Sequence, residues 1–236
     1  MSSIFITGGA AGIGLATAER FAREGWTVGV YDVDNDALDK VKANHPDFIT
    51  GKIDVRDPKE WDDALADFTA HTGGTLDVLD NNAGVLTEGK LADISPDAVR
   101  RQIDIDALGV TLGAQAAHKY LKKTPGSHLV NIASASAIYG QAEMATYSAT
   151  KFAVRGITEA LDLEWAAHGI RVCSVWPLYV GTEMLSQIFK TGGGGNYNEY
   201  SNADVDKLVD EARANLDESS RNDQIAEVDK HTFEDA

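Results

Sequence analysis

Apolar runs and amphipathic stretches alternate along most of the chain. Residues 3–9, "SIFITGG", read as a buried strand that ends in glycines. Residues 14–25 have helical spacing, with Leu15, Ala18 and Phe21 on one face and Gly25 as a stop. The alternation continues with a strand over 26–34, a helix over 35–45, a strand over 48–55 and a helix over about 58–73. A fourth strand and turn cover 76–84, and one long helix is expected around 96–120. A strand over 128–134, a helix over 144–169 closed by Gly169, and a strand over 170–177 complete the series. Near-continuous apolar strands separated by helices predict an α/β fold: a doubly wound parallel sheet with helices on both faces.

After Thr182 the pattern breaks. "TGGGGNYNEY" reads as a flexible stretch, and residues 201–216 as a short amphipathic helix with Val205, Leu208, Val209, Ala212 and Leu216 on one side. The expected organisation is one catalytic domain over 1–190, then an acidic, glycine-led segment over 191–236 with a polar tail.

Composition narrows the function classes. The net charge is −16, which repels a nucleic-acid backbone. From Thr191 onward twelve Asp/Glu stand against four Lys/Arg, read as a solvated acidic segment. No apolar run is long enough to span a membrane, and the first residues lack the basic start and length of a secretory signal. The lone Cys173, inside an apolar run, reads as a small core residue of a protein in a reducing compartment. These features predict a soluble, cytoplasmic protein without nucleic-acid or membrane partners. The six histidines are scattered without ligand spacing, so no metal is expected.

Chemistry concentrates at two places. "TGGAAGIG" carries Gly8, Gly12 and Gly14, with Ile13 before the last, between the first strand and the first helix. Glycines there let the backbone approach a diphosphate, and the helix start offers free N–H groups and a positive dipole end. Asp32, eighteen residues beyond Gly14, ends the second strand. Its carboxylate can accept from ribose hydroxyls and would repel a 2′-phosphate, so NAD is favoured over NADP. The other place is "SASAIYGQAEMATYSATK", with Ser134 thirteen residues before Tyr147 and Lys151 four after it. Tyr147 and Lys151 share one helix face, and Ser134 ends the fifth strand, at the rim where such sheets bind ligands. Reducing a carbonyl by hydride needs a proton at the forming alkoxide. A free tyrosine, with a pKa of about 10, is too weak an acid, and a shift of three units needs about 4 kcal/mol. A lysine ammonium about 4 Å away supplies about that much at an effective dielectric of 20.

These residues together resemble the short-chain dehydrogenase/reductase family. The motifs are the glycine turn, "DV" (Asp54, Val55), "NNAG" (residues 81–84), Ser134, "YSATK" (residues 147–151) and the Pro177…Val180…Thr182 pattern. The resemblance implies a Rossmann-like fold and NAD-dependent interconversion of a secondary alcohol and a ketone. Tyr147 would be the general acid/base, Lys151 would hold the nicotinamide ribose and acidify Tyr147, and Ser134 would steady the substrate. Asp54 and Val55 would lie near the adenine. Asn82, Ala83, Gly84, Pro177, Val180 and Thr182 would line the cofactor. It also implies a homo-dimer or homo-tetramer formed through the helices around 96–120 and 145–169.

The chain departs from the family pattern at four points. Asp106 stands where a catalytic asparagine is expected, and an ionised Asp106 about 8 Å away would oppose tyrosinate by about 2 kcal/mol. Asp80 replaces an apolar residue, Leu178 replaces a glycine, and a seventh strand is not read from the C-terminal part. A second reading therefore stays open: an NAD-binding sensor or scaffold with impaired turnover. The substrate is expected against residues 136–146 and the region after Thr182, with Ala137, Ile138, Tyr139, Met144 and Met184 forming a mostly apolar pocket and Gln141 and Glu143 as polar contacts.

Overall fold

The computed structural model describes residues 2–178, 180–182 and 184. The chain divides into two units, Met1–Leu178 and Tyr179–Ala236, and every strand and long helix described below lies in the first. The boundary expected at 190 and the helix expected over 201–216 fall outside the described residues.

Six strands alternate with helices: β1 (Ser3–Thr7), α1 (Gly12–Arg23), β2 (Thr27–Asp32), α2 (Asn35–Asn44), β3 (Ile49–Lys52), α3 (Pro58–Ala70) and β4 (Val78–Asn81). Then follow α4 (Pro96–Ile103), α5 (Gly109–Leu121), β5 (His128–Ile132), α6 (Ala145–Trp165) and β6 (Arg171–Val175). The strands run parallel in the order β3-β2-β1-β4-β5-β6. The chain winds outward from β1 to β3, returns to lay β4 beside β1, and winds the other way. That reversal opens a crevice at the carboxyl ends of β1 and β4, where doubly wound sheets take their ligands.

Strand periodicity sorts the side chains into two cores. Phe5, Tyr31, Leu79 and Leu129 join Trp61, Leu65 and Phe68 of α3 on one face. Ile4, Ile6, Val28 and Val30 join Ala18 of α1 and Leu38 and Val41 of α2 on the other. Phe5 stacks on Tyr31 with ring centres 4.2 Å apart, and Phe68 meets both rings edge-on. Helix starts are set locally: Asp34, Asp57 and Ser95 cap α2, α3 and α4 through their side chains, and Pro58 and Pro96 occupy first-turn positions. Gly169, at φ 71°, turns the chain from α6 into β6.

The long helix expected around 96–120 is interrupted. Asp104–Leu108 form a π-helical segment between α4 and α5, a widened turn that re-aims side chains and that periodicity alone does not reveal. The expected seventh-strand departure concerns residues beyond those described. Cys173 is partly buried, and burial raises its thiol pKa, as suits a packing residue.

Asp80 is the misfit of the sheet. It sits within β4, in register with Ile6 on β1 and Val130 on β5, and is 3% exposed. Its Oδ1 has no hydrogen-bond partner, and burial pushes its pKa up to about 7. A raised carboxyl favours the folded state below its ordinary value near 4, and this advantage is lost as pH rises toward about 7. Asp80→Asn should therefore help more at alkaline pH. The gain in unfolding free energy over wild type should be about 2 to 3 kcal/mol larger at pH 8 than at pH 5 in urea titrations. Equal differences at both pH values would mean that Asp80 does not titrate in this range.

Candidate active site

The glycine turn follows β1 directly. Gly8 and Gly12 have φ of 61° and 55°, the left-handed region in which a Cβ is unfavourable. Gly14 is required for a different reason: a Cβ there would come within 2.5 Å of both Asn82 Nδ2 and the Gly8 carbonyl. Asn82 Nδ2 donates to the carbonyls of Thr7 and Gly8 at 2.9 and 3.0 Å. The Ala83 N–H donates to Thr7 Oγ1 at 3.1 Å, and that hydroxyl donates to the Asp80 carbonyl. The turn after β1 and the "NNAG" segment after β4 are thereby one unit.

Helix α1 begins at Gly12 behind Ala11, which provides no side-chain cap, and Ile13 is half-buried in its first turn. The leading N–H groups of α1 thus remain available to an anion. Asp32 stands at the end of β2, partly exposed. Its Oδ2 accepts from Ala10 N, within the glycine turn, at 3.2 Å, and Oδ1 accepts from Asp34 N at 3.1 Å. A carboxylate has about four acceptor positions, so two bonds orient it and leave capacity for a ligand.

Lys151, 5% exposed, donates from Nζ to the carbonyl of Ile132, the last residue of β5, at 2.8 Å. The same Nζ lies 5.4 Å from the centre of the half-buried Tyr147 ring. Ser134 follows two residues after Ile132. Its Oγ accepts from Ser136 N at 3.1 Å, opening the short 3₁₀ turn Ala135–Ala137, whose Ala137 packs with Val154 of α6. Pro177 is tied to this corner, its carbonyl accepting from Ala135 N at 3.0 Å.

Asp106 lies inside the π-helical segment and is fully buried. Oδ1 accepts from Val85 N at 2.8 Å, and Oδ2 accepts from Thr150 Oγ1 at 3.4 Å. A Cβ built at Gly84 would lie 3.5 Å from Asp106 Oδ1 and 3.7 Å from Lys151 Nζ, so carboxylate and ammonium converge there. Burial raises the Asp106 pKa, while Lys151, Val85 N–H, Gln102 and Thr150 all pull it back.

The structure thus gathers Gly8, Gly12, Gly14 and Asp32 around the first turn, and Gly84, Asp106, Tyr147 and Lys151 around the second group. Other predicted residues are placed differently. Asp54 is engaged by Arg56, whose Nε donates at 2.8 Å and whose charge lowers the carboxyl pKa. Val55 points into the core, and its carbonyl accepts from Trp61 Nε1 at 2.9 Å. Val180 and Thr182 belong to the second unit. Among the expected substrate contacts, Ala137 and Met144 are buried, Ile138 and Tyr139 are exposed, and Gln141 Oε1 accepts from Ser136 Oγ.

Sequence reasoning missed Thr7, Gln102 and Thr150, which brace the turn and Asp106. It also missed a buried polar line in which Asn81 Nδ2 donates to Asn131 Oδ1 and Asn131 Nδ2 to Thr158 Oγ1. Polar residues at otherwise apolar strand and helix positions were the available signal. Among the described residues, no group of three or more His, Cys, Asp or Glu side chains could hold a metal ion. A nicotinamide dinucleotide fits this donor set: uncapped N–H groups for its diphosphate, a half-used carboxylate for a ribose, and Lys151 and Tyr147 at the far end.

The family model described as short chain dehydrogenase matches residues 2–192. The L-2,3-butanediol dehydrogenase of Corynebacterium glutamicum is 34% identical, with 84% of this chain and 82% of that protein covered. A 3-alpha-(or 20-beta)-hydroxysteroid dehydrogenase of Mycobacterium tuberculosis is 34% identical, covering 80% of this chain and 74% of that protein. The crystal structure of a 3-ketoacyl-(acyl-carrier-protein) reductase from Brucella melitensis complexed with NADH superposes with a TM-score of 0.75 at 27% identity, covering 78% of each chain. With its glycine turn, parallel sheet and Tyr147–Lys151 pair, the chain belongs to the short-chain dehydrogenase family, the nicotinamide-dependent oxidoreductases of secondary alcohols and ketones.

Proposed function

We propose that the protein is an NAD(H)-dependent dehydrogenase that interconverts a secondary alcohol and a ketone, with Tyr147 as the proton relay. One observation carries this reading: the Lys151 ammonium, held on the Ile132 carbonyl, lies beside the Tyr147 ring at the carboxyl end of β5. A nicotinamide held by Lys151 and Tyr147 would supply the hydride acceptor in oxidation and the hydride donor in reduction. The protein's own residues manage the proton. Ser134 Oγ donates a hydrogen bond to the substrate oxygen and orients it. Tyr147 Oη takes the alcohol proton in oxidation and supplies it in reduction. Lys151 stabilises the negative charge on the phenol oxygen as the proton leaves, an interaction strengthened by exclusion of water.

Asp32 supports NAD rather than NADP, because its oriented carboxylate suits ribose hydroxyls and repels a phosphate. The small, partly apolar substrates named for the relatives favour an alcohol such as a diol, a cyclic alcohol or a hydroxysteroid. Ile138 and Tyr139, both exposed, are the apolar groups available beside Ser134. The lone cysteine and acidic balance support a cytoplasmic setting without nucleic-acid partners. Among the described residues, no helix is long and apolar enough to cross a membrane. Exposed Ile103 on α4, Leu108 in the π-helical segment, and Phe152 and Leu163 on α6 support assembly as a homo-dimer or homo-tetramer through these helices.

Four outcomes are expected. With an alcohol panel of butane-2,3-diol, cyclohexanol and a 3-hydroxysteroid, absorbance at 340 nm should rise with NAD, and Tyr147→Phe should lose about 10³-fold in kcat while still binding NADH. Tight NADH binding with no turnover across the panel and its ketones would instead favour a sensor. The kcat/KM with NADH should exceed that with NADPH by about 100-fold, and equal values would remove the ribose role from Asp32. Asp106→Asn removes a charge that opposes the phenolate, so the pH optimum of oxidation should move down toward neutrality; an unmoved optimum would separate Asp106 from the relay. Light scattering should report an oligomer that Leu163→Asp weakens, and a monomeric wild type would refute the helix interface.

A further inference from the structure

Val85 is held by two side chains from one short stretch. Its N–H donates to Asp106 Oδ1 at 2.8 Å, and its carbonyl accepts from Gln102 Nε2 at 3.0 Å. Gln102 lies four residues before Asp106, is the buried residue of α4, and has 0% exposure. Its Oε1 has no hydrogen-bond partner. An amide buried with one end orphaned costs about 1–3 kcal/mol, a cost that its contacts at the other end must offset. The orientation is fixed by chemistry, since a flipped amide would set Oε1 against the Val85 carbonyl.

The hydrogen-bond inventory explains the pairing. An amide at position 106 would offer both an acceptor for Val85 N–H and a donor for Val85 C=O. An ionised carboxylate offers acceptors only. We propose that Gln102 and Asp106 divide between them the two-sided grip on Val85, making Gln102 a positioning residue for the catalytic centre. Asp106 takes the N–H, Gln102 takes the carbonyl, and together they hold the backbone at Gly84 and Val85 where Asp106 and Lys151 converge. Gln102 also lies against the Asp106 carboxyl and favours its charged form. Four residues apart, the two side chains share one helix face and reach the same residue. The catalytic part of this inference rests on the proposed Tyr147–Lys151 relay; the grip itself does not.

The test is a double-mutant cycle of Gln102→Leu and Asp106→Asn in the full chain, read in two ways. Thermal unfolding needs no substrate. Gln102→Leu should lower the midpoint by about 5 °C in the Asp106 background, because the Val85 carbonyl loses its donor, and by less than half of that beside Asp106→Asn, whose own amide takes over. Turnover of NAD with butane-2,3-diol should show the same coupling: about a 10-fold loss in kcat for Gln102→Leu with little change in the KM for NAD, and restoration to within about 3-fold of the Asp106→Asn rate in the double variant. Equal losses in both backgrounds, in midpoint and in kcat, would overturn the divided grip and leave Gln102 as packing. Should Gln102→Leu not fold, Gln102→Met serves in its place, and folding recovered only together with Asp106→Asn supports the proposal. Coupling in the midpoint with no wild-type turnover across the alcohol and ketone panel would uphold the grip and reject the enzymatic reading.

Discussion

A lysine ammonium removed from water needs partners, and the candidate site is organised around meeting that need. Lys151 is almost fully buried, and its Nζ donates to a backbone carbonyl at the end of β5. A neutral carbonyl alone does not offset the desolvation of a full charge. The remainder comes from the Tyr147 ring face on one side and the Asp106 carboxylate converging beside Gly84 on the other. The tyrosine, the carboxylate and the close backbone at Gly84 are therefore linked through a single positive charge.

The sheet supplies the coordinates for this charge. Ile132 is the last residue of β5 and Asn81 the last of β4, so both strands release their chains at the same rim. Asn82 then ties β4's exit to the carbonyls of the glycine turn through two hydrogen bonds. Gly14 completes the join because only a residue without Cβ lets α1 approach Asn82 so closely. Beneath the rim, Asn81, Asn131 and Thr158 form a buried polar line from β4 through β5 to α6. A fully satisfied line of this kind fixes the register of α6 on the sheet, and α6 carries Tyr147 and Lys151.

What could be read from the sequence was whatever depended on short separations. Strand and helix order, the glycine turn, Asp32 at the end of β2 and the shared face of Tyr147 and Lys151 all follow from periods of two and 3.6 and from local turn chemistry. The π-helical segment was not legible, because residues 96–120 keep a helical pattern through it and the extra residue is absorbed by tertiary contacts. Gln102 was passed over for the same reason: a glutamine on a helix usually faces water, and only the return of residue 85 makes it a buried donor. The engagement of Asp54 by Arg56, two residues on, is a short-range contact of the same legible kind.

The two buried carboxylates separate stability from chemistry. Both have pKa values raised by burial, and both occupy positions where the family pattern leads one to expect something else. Burial raises the Asp106 pKa, and an N–H, a hydroxyl, an amide and an ammonium each pull it back. Asp80 has no such partner for Oδ1, and the protein accommodates it by neutralisation rather than by pairing. A sheet can absorb one such acid beneath its surface, at a cost that grows as pH rises past its raised pKa. The density of bonds around Asp106, against their scarcity around Asp80, separates a carboxyl held in place by its neighbours from one that the fold only tolerates.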